Sequence, residues 1–224
     1  MKKTVIITGA NRGLGKAFVD VLMTIDDCFI ISLSRSVSKD QEEFSSKKFQ
    51  FIKTVLSKND IQNSLKMLKN TISNEAIYFI NNASLIEPII KIEDIDEASI
   101  DDILSVNIKS TMLITSFLLK NYDSNQVTFV NISSGAANRP ISNWSLYCSS
   151  KACIEMFFKV AETEYQQHRF FNINPGVMDT NMQKSIRESD FPDVENFKSF
   201  QKEGKLKNPI DVAKDILKTI QIIE

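Results

Sequence analysis

Thr8-Gly9-Ala10-Asn11-Arg12-Gly13-Leu14-Gly15 is the stretch on which the fold turns. The apolar run Val5–Ile7 leads into it, and Leu14, Phe18, Val21 and Leu22 follow at helical spacing. A short apolar run that stops at glycine reads as a buried strand, and the spacing after it reads as a helix over Leu14–Thr24. The loop therefore joins a strand to a helix N-terminus. Unpaired N–H groups and a partial positive charge favour an anion there, and glycines let a pyrophosphate approach the backbone. The bland alternative is a glycine-rich turn with no ligand, which one glycine pattern by itself does not exclude.

Outward from the loop the same unit recurs. Strands are predicted at Phe29–Leu33, Phe49–Leu56, Ala76–Ile80, Val127–Ile132 and Phe170–Ile173, and helices at Ile61–Ile72, Ser99–Leu119, Tyr147–Tyr165 and Pro209–Ile220. Strands alternating with helices imply βαβ units and a parallel sheet, so the α/β class follows. Residues 1–224 show no repeat and no low-complexity linker, and they are read as a single domain. Two long non-strand stretches remain, Ser34–Lys48 and Asn181–Lys207. The second follows strand six, on the side where open α/β sheets bind ligands.

Composition narrows the function. The 27 basic and 28 acidic residues leave a net charge of −1, so no basic field exists for nucleic acid or anionic lipid. Cys28, Cys148 and Cys153 have no paired spacing, which argues against a disulfide framework. His168 is the only histidine, and no metal site is expected. The apolar run after Lys2-Lys3 breaks at Thr8-Gly9, short of the roughly 7–15 residues of a signal peptide core. No stretch is expected to reach the roughly 20 apolar residues of a membrane span. A cytoplasmic protein without membrane or nucleic-acid partners is the expectation.

The loop's T-G-x-x-x-G-x-G spacing resembles that of the short-chain dehydrogenases/reductases. Other stretches match the family in order: Asn81-Asn82-Ala83-Ser84 after strand four, Asn107 in the long helix, and Ile132-Ser133-Ser134 closing strand five. Tyr147-Cys148-Ser149-Ser150-Lys151 is the Y-x-x-x-K signature, and Pro175-Gly176 follows strand six. The resemblance implies a Rossmann-type doubly wound sheet with helices on both faces. Within the family, Asn131–Ala136, Tyr147-Cys148, Pro175–Gln183 and Glu203–Leu206 look most like the sepiapterin reductase and benzil reductase branch.

Strand two ends Ser32-Leu33-Ser34-Arg35-Ser36, without the acid that favours NAD. A guanidinium at Arg35 suits a 2′-phosphate, and Arg12 adds a second positive charge, so NADP(H) is the expected cofactor. The alternative for both is a solvated surface arginine. Gly9, Asn11, Arg12, Gly13, Leu14 and Gly15 are expected to hold the phosphates, and Ser34 to join Arg35. By resemblance, Asn82 and Ala83 line the adenosine side, and Pro175, Gly176, Val177 and Thr180 the nicotinamide.

The implied chemistry is hydride transfer to a carbonyl carbon with Tyr147 as the proton donor. A free phenol has a pKa of about 10, too high for efficient work near neutrality. Lys151 shares its helix face, and an ammonium about 5 Å away at an effective dielectric near 20 stabilises the phenolate by roughly 3 kcal/mol, about two pKa units. By resemblance, Ser134 holds the substrate oxygen, Asn107 a relay water, and Lys151 also the nicotinamide ribose. Taken alone, Y-x-x-x-K is a surface pair and Ser-Ser a turn; the ordered set is what favours catalysis.

Trp144 precedes the active helix and either stacks on a planar substrate or packs internally. Met178, Met182 and Phe191 are read as an adaptable apolar lid or as ordinary contacts. Ser84 stands where the family has glycine. The family's usual seventh strand, with the acidic residue that sepiapterin reductases use, has no counterpart before Glu224. Reduction of an α-diketone or related small ketone or aldehyde is therefore favoured over pterin reduction. The alternatives are a non-catalytic NADP(H) sensor and a structural interaction protein. A homodimer through the two long helices is implied by the resemblance.

Overall fold

The computed structural model describes residues 3–57, 61–72, 76–122 and 126–223. The apolar runs become strands β1 (Lys3–Thr8), β2 (Cys28–Ser34), β3 (Phe49–Lys53), β4 (Ala76–Asn81), β5 (Val127–Ile132) and β6 (Arg169–Ile173). The helices are α1 (Gly13–Leu22), α2 (Lys39–Glu42), α3 (Ile61–Thr71), α4 (Glu97–Ile103), α5 (Ser110–Asn121), α6 (Ser145–Glu164), α7 (Asn181–Glu188), α8 (Val194–Lys202) and α9 (Pro209–Thr219). All strand pairs are parallel, in the order β3-β2-β1-β4-β5-β6. This is the doubly wound, Rossmann-type order, and it reverses between β1 and β4.

Both faces of the sheet are covered, which is why β1 reads as an unbroken apolar run: Val5, Ile6 and Ile7 are all fully buried. Successive side chains leave on opposite faces. Val5 and Ile7 join Phe18 and Leu22 of α1 and Ile216 and Leu217 of α9. Ile6 joins Leu65 and Leu68 of α3, Ile114 and Leu118 of α5, and Ile154 and Phe158 of α6. Phe129 anchors that second layer, stacked on Phe170 at 4.8 Å and meeting Phe79 and Phe158 edge-on. A third, smaller apolar cluster joins Trp144 and Tyr147 of the α6 entry to Ile186, Phe191 and Phe197 around α7 and α8.

The helix expected over Ser99–Leu119 is a rod with a fault in it. Between α4 and α5, Leu104–Lys109 is wound as a π-helix. Such widened turns recur at functional sites, and this one carries Asn107, which is buried. The rod Glu97–Asn121 contains a window of mean hydropathy 1.3 and is long and apolar enough by composition to cross a membrane, contrary to the sequence expectation; 50% of that window is buried inside the fold. The stretch Asn181–Lys207 holds α7 and α8. Strand three stops at Lys53 rather than Leu56, since Thr54 turns its hydroxyl back onto Ile52 O and toward Ser64.

A row of amides crosses the sheet. Asn81, Asn131 and Asn172 are in register on β4, β5 and β6. Asn81 Nδ2 donates to Asn131 Oδ1 (3.1 Å), and Asn131 Nδ2 donates to Asn172 Oδ1 (2.8 Å). At one end Thr111 Oγ1 of α5 donates to Asn81 Oδ1, and at the other Asn172 Nδ2 donates to Glu155 O of α6.

Candidate active site

A cleft of about 960 Å³ runs over the carboxyl ends of the strands. The glycine loop forms one end. Gly9 (φ 66°) and Gly13 (φ 54°) take left-handed conformations that favour glycine. Gly15 is needed for a different reason: a Cβ there would stand 2.1 Å from Gly9 O and 2.6 Å from Asn82 Nδ2. Neighbours pin the loop. Ala10 N donates to Ser34 Oγ, Gln41 Nε2 donates to Ala10 O (both 2.8 Å), and Asn82 Nδ2 donates to Thr8 O and Gly9 O. Arg12 caps α1 without any side-chain cap, so the first-turn N–H groups of the helix are left without a side-chain acceptor.

This is an anion cradle of the kind a dinucleotide's phosphates need. Arg12 and Arg35 are exposed at its rim and pair with no described carboxylate. Ser34 borders the cleft too, but it is buried and its hydroxyl is engaged by Ala10 N and Ser32 Oγ. Opposite the loop, Gly176 (φ 78°) turns the chain after β6, and Thr180 caps α7 with its Oγ1 accepting from Gln183 N. The Thr180 methyl group lies 3.6 Å from where a Gly13 Cβ would stand, so the two sides of the cleft meet there.

At the other end, β5 delivers Ser133 and Ser134, and α6 delivers Tyr147 in its first turn and Lys151 one turn later. The spacing of four puts Lys151 Nζ 5.6 Å from the Tyr147 ring centre, and Lys151 Nζ donates to Ile132 O at 2.8 Å. Ser134 Oγ accepts from Ala136 N and caps a short 3-10 turn. Asn107 lies behind this group, clamping Leu85 through both backbone atoms (2.8 Å each) and donating to Ser150 Oγ.

Burial dominates the electrostatics. It pushes the Tyr147 phenol up to about 12, against the Ser134 and Ser84 hydroxyls, which pull it down. Burial likewise lowers the Lys151 ammonium to about 8, and the Glu155 carboxylate opposes this. The expected drop of about two units in Tyr147 through Lys151 is therefore absent from this arrangement: burial is the largest influence on the phenol, and the two hydroxyls offset it only in part. Tyr147 holds its proton throughout the neutral range.

Nearly every residue singled out in the sequence borders the cleft; Gly15 lies beneath the loop and Asn107 behind the tyrosine. Trp144 is both wall and packing: it is 4% exposed, edge-on to Tyr147, and set against Phe191 and Phe197. Phe191, offered as a lid residue, is buried in that same cluster. Sequence reasoning missed Gln41, whose signal was the capping-box spacing Ser38-x-x-Gln41. It also missed Glu155, one turn beyond Lys151, which accepts from Ser133 Oγ (2.5 Å) and Asn138 Nδ2.

Comparison with known proteins agrees with this geometry. Residues 3–190 match the family described as short chain dehydrogenase. A benzil reductase ((S)-benzoin forming) of Bacillus cereus is 31% identical over 98% of this chain and 94% of its own length. A sepiapterin reductase of Bos taurus is 26% identical over 96% of this chain and 88% of its own. The crystal structure of the KRED1-Pglu enzyme superposes with a TM-score of 0.86 at 26% identity, over 95% of this chain and 92% of that one. With the loop, the strand order and the tyrosine–lysine helix already in place, the chain belongs to the short-chain dehydrogenase family, on the side of the benzil and sepiapterin reductases.

Proposed function

We propose that residues 1–224 form one NADPH-dependent carbonyl reductase unit that reduces an α-diketone or related small ketone or aldehyde to an alcohol. The observation that carries this reading is the convergence of Ser134, Tyr147 and Lys151 at one end of a cleft whose other end is a glycine-loop cradle rimmed by the exposed Arg12 and Arg35. Bound nicotinamide supplies the hydride for the carbonyl carbon. The protein's part is the proton and the geometry. Tyr147, protonated and buried, donates to the developing alkoxide, and Ser134 Oγ orients the same oxygen. Lys151, with a pKa of about 8, is mostly cationic at neutral pH and stabilises the phenolate left behind. Asn107 fixes the Leu85 backbone and, through Ser150, the first turn of α6.

Arg35 and Arg12 are assigned to the 2′-phosphate, because no carboxylate stands at the end of β2 to repel it. Gly9, Asn11, Gly13 and Leu14 are assigned to the pyrophosphate, Asn82 and Ala83 to the adenosine side, and Pro175 to Thr180 to the nicotinamide. The exposed apolar residues Ile100 and Leu104 on the α4 rod and Met156 and Val160 on α6 suit a homodimer contact. A cytoplasmic location fits an NADPH-consuming reductase.

The test is NADPH oxidation, followed by absorbance, with benzil, small diketones, sepiapterin and aldehydes. Turnover with NADPH, weak turnover with NADH, and a loss of roughly 10²–10⁴-fold in Tyr147→Phe are expected. Stabilisation by NADPH with no turnover on any of these compounds would refute the reading in favour of a binding protein.

A further inference from the structure

Tyr147, Lys151 and Glu155 follow one another at intervals of four along α6, so they rise over successive turns on one side of the helix. The reductase reading gives the first two a task and leaves the third without one. Glu155 is half-buried and does not border the cleft. Ser134 and Tyr147, in contrast, have to meet on a single substrate oxygen although they come from different elements, a strand end and a helix. Something must set the distance between those elements.

Three contacts tie α6 to the end of β5 and the turn after it. Lys151 Nζ donates to Ile132 O at 2.8 Å. Ser133 Oγ, on a residue only 3% exposed, donates to Glu155 Oε1 at 2.5 Å, the length of a charge-assisted bond between a hydroxyl and a carboxylate. Asn138 Nδ2 donates to Glu155 Oε2 at 3.2 Å. Between Ser133 and Asn138 lies the short 3-10 turn that Ser134 caps, closed by Ala137 N donating to Ser134 O and Asn138 N donating to Gly135 O. The two carboxylate oxygens of Glu155 therefore grip both ends of the turn that carries Ser134. The backbone of Glu155 is fastened to the sheet as well, since its O accepts from Asn172 Nδ2 at the end of the amide row.

We propose that Glu155 is a positioning residue that holds the Ser134 turn against α6, so that Ser134 and Tyr147 bear on one carbonyl oxygen from fixed directions and a single face of the carbonyl meets the hydride. Glu155 touches neither substrate nor cofactor in this role; it acts through Ser133 and Asn138. Losing the grip lets the turn shift relative to Tyr147, and a small misplacement of an orienting group slows a reaction well beyond its own bond strength. The same slack lets the carbonyl present its other face. The glycine loop, at the far end of the cleft, is untouched. This assignment rests on the carbonyl reductase reading and adds to it a residue and a source of stereochemical control.

The experiment follows reduction of benzil, or of whichever prochiral ketone the wild type reduces fastest, with NADPH in the wild type, Glu155→Ala, Glu155→Gln and Ser133→Ala. Chiral chromatography resolves the two alcohol enantiomers. Their ratio does not depend on how much of a variant is folded, so a merely structural defect leaves it alone. Glu155→Ala should lose about tenfold in kcat, keep KM for NADPH within about twofold, and lower the enantiomeric ratio about fivefold. Ser133→Ala should move the same way by less, because the Asn138 contact remains. Glu155→Gln keeps an oxygen for Ser133 and, with the Asn138 amide turned round, a donor for Asn138, so it should recover most of the rate and the ratio. A racemic wild-type product, or a wild-type ratio in Glu155→Ala or Ser133→Ala, would overturn the positioning role and leave the reductase intact. A glutamine variant as impaired as alanine would also overturn it, placing the effect in the charge that Glu155 exerts on Lys151. A wild type that reduces aldehydes but no prochiral ketone has no carbonyl face to select and refutes the role alone; one that reduces no carbonyl compound sinks the reductase reading with it.

Discussion

Replacing Lys151 by methionine should make the protein more stable as it destroys activity. Lys151 is 6% exposed, and its pKa is lowered from 10.5 to about 8 by burial. A shift of that size means that holding the ammonium inside the fold costs about 3 kcal/mol. Methionine of similar length removes the charge; the lost hydrogen bond to Ile132 O returns roughly 1 kcal/mol of the gain. The net is about 2 kcal/mol, or roughly 4–8 °C in Tm for a chain of this size. The pH dependence fixes the cause. The folded pKa lies below the unfolded one, so below about pH 8 both states carry the proton and the penalty is present in full. Between about 8 and 10.5 the unfolded state binds more protons than the folded one, and wild-type stability rises with pH relative to the variant. Thermal unfolding by circular dichroism at pH 7 and pH 10 should show a gap that favours Lys151→Met at pH 7 and narrows at pH 10. A variant that melts lower at pH 7, or a gap indifferent to pH, would refute the argument.

Two further outcomes follow from the cofactor end. Arg35→Ala should raise KM for NADPH by roughly ten- to a hundredfold, the value of a charge-assisted bond to phosphate, and leave KM for NADH nearly unchanged. Steady-state kinetics with both cofactors decide this, and equal effects on the two would place Arg35 away from the 2′-phosphate. Gly15→Ala forces a methyl group to within 2.1 Å of Gly9 O; a cost of about 1–3 kcal/mol should appear as a lower Tm together with weaker nucleotide binding, measured by calorimetry.

How much of this was legible in the sequence depends on what each signal encodes. Periodicity and the position of Gly9 gave β1, the loop and α1, because a buried parallel strand and an amphipathic helix write themselves into local pattern. The i, i+4 spacing correctly placed Lys151 beside Tyr147. It did not give the sign of the Tyr147 shift, since burial depends on Trp144 being covered by Phe191 and Phe197, which come from far along the chain. The π-helical fault at Leu104–Lys109 left no mark in an apolar pattern that reads equally well as a plain helix. Helices α7 and α8 were lost in a stretch of two short, mostly polar segments broken at Ser189–Asp193, where isolated helices are marginal and docking onto the cleft supplies the stabilisation. Glu155 looked like any solvated glutamate until Ser133 was brought to it.

The amide row across β4, β5 and β6 has a consequence for how this sheet finds its alignment. Central parallel strands such as Ile77–Ile80 and Val127–Val130 are buried and largely apolar on both faces, so sliding one past the next by two residues keeps every side chain on its proper face. Asn81, Asn131 and Asn172 remove that degeneracy. Displaced by two, the three amides would no longer face one another, and each one left unbonded costs about 1–3 kcal/mol. The row therefore acts as a vernier: it contributes little to holding the strands together and much to choosing their offset. Because the carboxyl ends of β4 and β5 set the positions of Ser84 and Ser134 relative to α6, the accuracy of that offset is also the accuracy with which the two hydroxyls meet Tyr147.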